Sequence, residues 1–126
     1  MRLLLDSTFV IEVLDGLPEA VARHRAIFET GDEPFVNEVV VCEVRAGLRS
    51  KDVPSLVGIL EPVEFIQRGP DGAMLAGEWR RQAHERGHGL SLPDALIASA
   101  AQAIDAAVLT RNVRDFALTP VRIETY

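Results

Sequence analysis

Short apolar segments alternate with longer helical segments along nearly the whole chain, and this alternation restricts the possible folds more than any other feature. Five segments have the length and apolar character of buried strands, and the stretches between them have the spacing of amphipathic helices. Because consecutive parallel strands need a crossover between them, the pattern predicts an α/β fold with a short, mostly parallel central sheet flanked by helices. The predicted strands are Leu3–Leu5, Pro34–Val36, Val63–Ile66, Ala106–Leu109 and Val121–Ile123.

Capping residues indicate where the helices begin and end. Ser7 or Thr8 is expected to cap the first helix, and Asn37 the helix that runs to about Arg45. Val39–Val41 would favour a strand by propensity, but Asn37 in front of them favours a helix. The other predicted helices are Pro18–Thr30, Asp52–Leu60, Asp71–Arg86, Pro93–Ile104 and a short turn at Asn112–Phe116.

Composition and charge restrict the class of protein. The 126 residues suit one domain, 1–126, and their 48% hydrophobic and 25% charged content is ordinary for a folded protein. The single cysteine, Cys42, is expected in the core and excludes an internal disulfide, which favours the cytoplasm. No apolar run approaches the ~20 residues of a membrane span. The net charge of −6 argues against a stable nucleic-acid binder, but less against a nuclease whose bound metal makes an acidic site cationic.

Polar residues follow two of the predicted strands directly. Asp6 comes after the first strand, and Thr110 and Asn112 come after the fourth. In open parallel sheets, ligands bind beyond the carboxyl ends of the strands. Helices that begin at this edge of the sheet are expected to bring Asp94 and Glu43 to the same place. Carboxylates gathered in this way repel one another unless a cation joins them, and oxygen-only clusters suit Mg²⁺ or Mn²⁺.

Each acidic residue also has a purely structural explanation. Asp6 and Asp94 are favourable near the positive end of a helix, and Asp115 can cap a helix or face solvent. Glu43 differs, because its neighbours are valines and Cys42, and an ionised carboxylate buried among them would be costly without a partner. The order and context of these residues therefore carry more weight than any single position.

Four motifs in this order resemble those of PIN-domain proteins, and more narrowly the VapC-type toxins of toxin–antitoxin pairs. The resemblance spans nearly the whole chain. It rests on Leu3–Thr8, Val41–Gly47, Leu92–Ala98 and Val108–Phe116.

The resemblance implies a metal-dependent endoribonuclease that hydrolyses RNA with Mg²⁺ or Mn²⁺. It further implies a homodimer and silencing by a VapB-type antitoxin. The family's acidic positions fall on Asp6, Glu43 and Asp94, with Asp6 and Asp94 expected to hold the metal. Many members carry aspartate where this chain has Asn112, and Asp115 occupies another commonly acidic position, so one tightly bound metal is expected. Thr8 and Thr110 are further candidates, for orienting ligands or a bound water.

Two other functions compete with this interpretation. The first is a carboxylate-pocket binding module that grips a basic partner peptide with weak or lost catalysis, which Asn112 keeps open. The second, a receiver domain for phosphate transfer, is disfavoured because Asp6 stands alone and the only lysine is Lys51. Arg45, Arg49 and Lys51 either steer an RNA backbone towards the site or form a solvated helix end.

Overall fold

All five strands run parallel in one sheet, and the first strand of the chain lies at its centre. The computed structural model describes residues 1–126. The strand order is β3-β2-β1-β4-β5. The strands are β1 Arg2–Leu5, β2 Glu33–Val36, β3 Glu64–Phe65, β4 Ala107–Leu109 and β5 Ile123–Glu124.

Seven α-helices connect and cover the strands. Helix α5 packs along α6, and α6 in turn contacts β1 and β4, while α1 packs against α2 and α3. None of the helices is long and apolar enough to span a membrane. The helices are α1 Ser7–Leu14, α2 Pro18–Thr30, α3 Glu38–Ala46, α4 Val53–Leu60 (after a 3₁₀ turn at Ser50–Asp52), α5 Gly69–Glu85, α6 Leu92–Ala103 and α7 Val113–Phe116.

One hydrophobic core of 27 buried residues holds the sheet and helices together. Leu3, Leu4 and Leu5 of β1 are all buried, although they point alternately to opposite faces of the sheet. A strand buried on both faces is what a parallel sheet covered by helices requires. The predicted α/β class with a parallel central sheet is therefore confirmed.

The Asn37 prediction is also confirmed. Its side chain accepts a hydrogen bond from the Val40 N–H at 3.2 Å and begins α3, so Val39–Val41 are helical despite their strand propensity. This cap satisfies one backbone donor that a helix start leaves free.

Three local predictions were wrong. The cap of α1 is Asp6 instead of Ser7 or Thr8, because its carboxylate accepts from the Ser7 N–H. The last strand lies at Ile123–Glu124, later than predicted, because its register follows pairing with Val108 and Leu109. Cys42 is exposed, since it lies on the outer face of α3.

Candidate active site

Pairing of the two central strands places Asp6 beside Thr110. Leu5 of β1 pairs with Leu109 of β4, and the Asp6 N–H continues the ladder by donating to the Leu109 carbonyl at 3.1 Å. The Thr110 hydroxyl then donates to Asp6 Oδ2 at 2.7 Å. Asp6 is 4% exposed and Thr110 0%, so this pair forms the buried floor of the site.

Ser7 joins Asp6 to Glu43 of α3. Its N–H donates to Asp6 Oδ1 at 2.8 Å, and its hydroxyl donates to Glu43 Oε1 at 2.6 Å. Glu43 itself is exposed, so the expectation of a carboxylate buried among valines was wrong: those valines pack inwards while Glu43 faces the site edge. The sequence interpretation missed Ser7 as a site residue, although a hydroxyl directly after a strand-end aspartate was the available signal.

Asp94 enters the site from the first turn of α6. Ser91 caps this helix by accepting the Asp94 N–H at 3.2 Å. Asn112 donates through Nδ2 to Asp94 Oδ2 at 3.3 Å, and its own N–H donates to the Thr110 hydroxyl at 2.8 Å. Hydrogen bonds therefore lead from Asp6 through Thr110 and Asn112 to Asp94.

Burial and neighbouring negative charges disfavour the charged forms of both aspartates. Burial raises the pKa of Asp6, and the negative charge of Glu43 adds to this effect, while hydrogen bonds from Thr110 and Ser7 oppose it. Burial also raises the pKa of Asp94 to about 6. The negative charges of Asp6, Asp115 and Glu43 contribute to the rise in the Asp94 pKa, so Asp94 lies within electrostatic reach of the other three carboxylates.

Thr8 and Asp115 occupy different positions relative to this network. Thr8 is exposed and its side chain takes part in no hydrogen bond, so the structure does not bring it into the network. Asp115 lies half-buried on α7, close enough to Asp94 for its charge to raise the Asp94 pKa. Glu43 and Asp115 therefore flank the pair Asp6 and Asp94.

The basic residues after Glu43 do not face the carboxylates as a group. Arg45 donates to the Leu48 carbonyl at 3.0 Å, and Arg49 pairs with Asp52 at 3.4 Å. These contacts favour the solvated helix end over the alternative of an RNA-steering patch.

The donor atoms suit a hard divalent cation, although no three His, Cys, Asp or Glu side chains are arranged to hold a metal ion as they stand. Mg²⁺ commonly binds through one or two carboxylates and keeps several waters, so a closed cage of protein ligands is not required. Asp94, whose pKa is raised in part by three neighbouring carboxylates, would gain from a cation held between them. The residues present therefore fit such an ion chemically.

Two cavities flank the carboxylates. The first, here called the α7 cavity, has a volume of about 570 Å³ and is lined by His88, Gly89, Asn112, Arg114, Asp115 and Leu118. The second, here called the α3–α6 hollow, is apolar and has a volume of about 480 Å³. It is lined by Glu38, Val39, Cys42, Glu43, Leu92, Pro93 and Leu96.

Comparison with known proteins places the chain in a family. Residues 3–120 match the family model of the PIN domain. The chain belongs to the PIN-domain family. It is also 31% identical over 117 residues to Ribonuclease VapC19 of Mycobacterium tuberculosis, which covers 93% of this PIN domain and 94% of the relative. The family prediction drawn from the four sequence motifs is thus confirmed.

Solved structures support the same fold for this PIN domain. VapBC2 from Rickettsia felis, bound to a DNA fragment from its promoter, matches with a TM-score of 0.86 and 20% identity over 100% of this chain and 99% of the other. DNA-bound VapBC from Salmonella typhimurium matches with a TM-score of 0.84 and 21% identity over 99% and 98%. A toxin–antitoxin complex from Klebsiella pneumoniae matches with a TM-score of 0.78 and 24% identity over 96% and 95%.

Proposed function

We propose that this PIN domain is a metal-dependent endoribonuclease and the toxin of a toxin–antitoxin pair. The observation that carries the proposal is the cluster of carboxylate side chains at the carboxyl edge of the sheet. In this cluster the pKa values of Asp6 and Asp94 are both raised. A 31% identical relative is named a ribonuclease, which supports RNA as the substrate. Perturbed carboxylates in a cleft are a common feature of catalytic sites.

Asp6 and Asp94 would hold Mg²⁺ or Mn²⁺ directly, with Glu43 and Asp115 acting directly or through water. When bound, the cation lowers the pKa of water and offsets the negative charge that builds on the scissile phosphate. Asn112 brings no charge to the position where many family members have aspartate. A second cation would therefore lack a charged ligand at this position, and we propose one tightly bound ion.

The hydrogen-bond network sets the orientation of these carboxylates. Thr110 and Ser7 each occupy one oxygen of Asp6, which fixes the rotation of its carboxylate. Asn112 does the same for one oxygen of Asp94. In the proposed reaction a water molecule loses a proton to solvent and its oxygen attacks the phosphorus in line. The bond between phosphorus and the leaving ribose oxygen breaks, this oxygen takes up a proton from solvent, and no covalent enzyme intermediate forms.

The proposed partners follow from the family and from one surface. Structural neighbours of this chain are VapBC complexes, which supports a VapB-type antitoxin as the inhibitor. The α3–α6 hollow provides apolar contact directly beside Glu43, and we propose that it contributes to a homodimer. The cytoplasm remains the predicted compartment, on the basis of the single cysteine.

An RNA cleavage assay on the purified, antitoxin-free protein tests the nuclease proposal. We expect the protein to cleave RNA in Mg²⁺ or Mn²⁺ and to stop when EDTA is added. We expect the Asp94→Ala variant not to cleave RNA. Asp71→Ala is the matched control, because Asp71 is also an aspartate in the first turn of a helix, α5, but lies outside the network. Full activity of a folded Asp94→Ala variant would contradict the proposal.

The second candidate is the binding module for a basic peptide. Asn112 favours this binding function, because the Asn112 side chain stands where many family members have an acidic residue. It donates a hydrogen bond to Asp94 instead of adding a negative charge. Absence of cleavage across varied RNAs, in a folded protein that binds metal, would favour this function.

A further inference from the structure

The α7 cavity adjoins the carboxylates and shares no lining residue with the α3–α6 hollow. Asn112 forms part of its wall and also donates to Asp94, so the cavity opens beside the proposed reaction centre. Its volume of about 570 Å³ lies within the range of sites that bind small molecules, roughly 300–1,000 Å³. A segment of RNA that reaches the carboxylates can therefore extend into it.

Arg114 is an uncommitted cation in the wall of this cavity. Its guanidinium forms no ion pair within 4 Å and no side-chain hydrogen bond, even though it is next to Asp115 in the chain. The Arg111 guanidinium is instead stacked on the Tyr126 ring, 4.6 Å from its centre. Arg80 donates to the Leu90 carbonyl at 3.0 Å. Arg114 thus has all its donors available to a ligand.

His88 adds a second donor from a different segment. It lies in the turn between α5 and α6, between Gly87 and Gly89, and its exposed imidazole makes no hydrogen bond. Gly87 has a φ of +80°, a conformation that lets the chain turn sharply here. Helix α7 and this turn therefore present Arg114 and His88 to one cavity.

We propose that the α7 cavity binds a backbone phosphate of single-stranded RNA adjacent to the phosphate that is cleaved. Arg114 supplies the charge and a forked set of donors, and His88 supplies a further hydrogen bond. The chain has a net charge of −6, so RNA gains no general attraction to it and needs a local cation near the site. This inference rests on the proposed ribonuclease function.

RNA binding tests the proposal independently of cleavage. Fluorescence anisotropy would follow a labelled, mixed-sequence single-stranded RNA binding to the full chain in Mg²⁺, with Asp94→Asn in every protein to prevent cleavage. Arg114→Gln is expected to weaken binding about tenfold at low salt, the usual effect of one charged hydrogen bond. The slope of log affinity against log salt should fall in magnitude by about 0.7, the value for one phosphate contact on a single strand.

Two further variants separate charge from structure. Arg114→Lys keeps the charge and should retain the salt slope, and His88→Ala should weaken binding with little change in slope. Arg23→Gln is the matched control, because the charge of Arg23 acts on Asp32 at the opposite, amino-terminal edge of the sheet. Equal binding and equal slopes for Arg114→Gln and Arg23→Gln, or no binding by the parent at the lowest salt, would overturn the proposal.

Cleavage kinetics distinguish this inference from the proposed function. In the active chain, Arg114→Gln should lose kcat/KM chiefly through a higher KM, whereas Arg23→Gln should match the parent. Cleavage that is insensitive to Arg114→Gln would refute the phosphate site and leave the nuclease standing. RNA binding that depends on Arg114 without any cleavage by the parent would refute the nuclease and leave the phosphate site standing.

Discussion

Asp6 is fixed at both carboxylate oxygens by hydrogen bonds from the chain itself. Thr110 donates to one oxygen and the Ser7 N–H to the other, at 2.7 and 2.8 Å. Thr110 also accepts the Asn112 N–H, so one buried hydroxyl supports both halves of the site. Residues that orient metal ligands in this way affect metal affinity without touching the ion.

Thr110→Val should therefore weaken metal binding more than it weakens the fold. The substitution keeps the shape of the side chain but removes the donor to Asp6 and the acceptor of the Asn112 N–H. We expect Mn²⁺ affinity to fall by roughly 10–100-fold, the usual cost of losing such a partner, measured by isothermal titration calorimetry. Thr119→Val is the control, because Thr119 is also buried but bonds only the Phe116 carbonyl. Equal affinity losses in both variants would contradict this role.

The raised pKa of Asp94 predicts a pH-dependent stability in the absence of metal. Its folded pKa of about 6 exceeds the ordinary aspartate value of 3.8, so the fold favours the protonated form. The contribution of protonated Asp94 to the free energy of unfolding is fully present below pH 3.8 and is lost as the pH rises through about 6. After allowance for screening by solvent, the loss is about 1 kcal/mol.

Thermal unfolding in EDTA between pH 4 and 7.5 would measure this loss. Asp94→Asn should lack the component, and should be more stable than the parent at pH 7.5. Half-buried His24 acts in the opposite sense, because burial lowers its pKa and its contribution to stability is lost as the pH falls. Comparison of the two proteins at each pH removes the effect of His24. Parallel pH profiles would show that Asp94 does not titrate as stated.

At the scale of elements, the loop after β4 is anchored to α1 from outside the site. The Tyr126 hydroxyl donates to the Glu12 carboxylate of α1 at 2.5 Å. The Tyr126 ring packs against the Phe9 ring, with 4.9 Å between the two ring centres. The same ring supports Arg111, which approaches Glu12 to within 3.7 Å. Since Arg111 lies between Thr110 and Asn112, this cluster restrains the loop that orients the aspartates.

Tyr126→Phe should lower the free energy of unfolding by about 1 kcal/mol, because it removes one partly buried hydrogen bond. The ring contacts with Phe9 and Arg111 would remain, so Tyr126→Ala should cost more. Urea unfolding of the three proteins measures the difference. Burial and Glu12 raise the pKa of Tyr126 above its usual range, so its hydroxyl stays a donor at neutral pH. Equal stability of the parent and Tyr126→Phe would contradict the contribution of the Glu12 bond.

Most elements could be predicted from local signals in the sequence, and the exceptions have physical reasons. Pro18 and Gly31 bound α2 as expected, with Gly31 in the left-handed conformation at φ +76°. Strand β3 is only the pair Glu64–Phe65, because it lies at the edge of the sheet, where pairing with β2 on one side alone sets its length. The local pattern of Val63–Ile66 therefore predicted the strand itself, but its ends depend on pairing with distant residues.

Only part of the site could be predicted, again because local signals do not record contacts between distant residues. The positions of Asp6 and Thr110 follow from strand ends, which a sequence indicates well. The exposure of Glu43 and its bond to Ser7 depend on how α1 packs against α3, and the Asn112–Asp94 bond depends on how α6 and α7 meet. Such contacts between elements are not encoded at any single position.

At the scale of the whole molecule, the α3–α6 hollow is the surface proposed for self-association. Leu92 is part of the lining of this hollow and is 53% exposed, and the surface that the lining residues expose is apolar. We expect the parent to be a dimer by size-exclusion chromatography with light scattering, and Leu92→Glu to be a monomer, because a buried unpaired charge opposes association. Met74→Glu is the control, since Met74 on α5 is 76% exposed outside the hollow. A dimer that tolerates Leu92→Glu would place the interface elsewhere.

The central position of β1 has a consequence for synthesis on the ribosome. This strand is made first, yet one of its two neighbours in the sheet is β4, which begins at Ala107. A nascent chain that ends before Ala107 lacks half of the pairing of β1, and Asp6 lacks the hydroxyl of Thr110. Contacts across so many residues form late in folding. The order of translation therefore delays assembly of the carboxylate site until most of the polypeptide has been made.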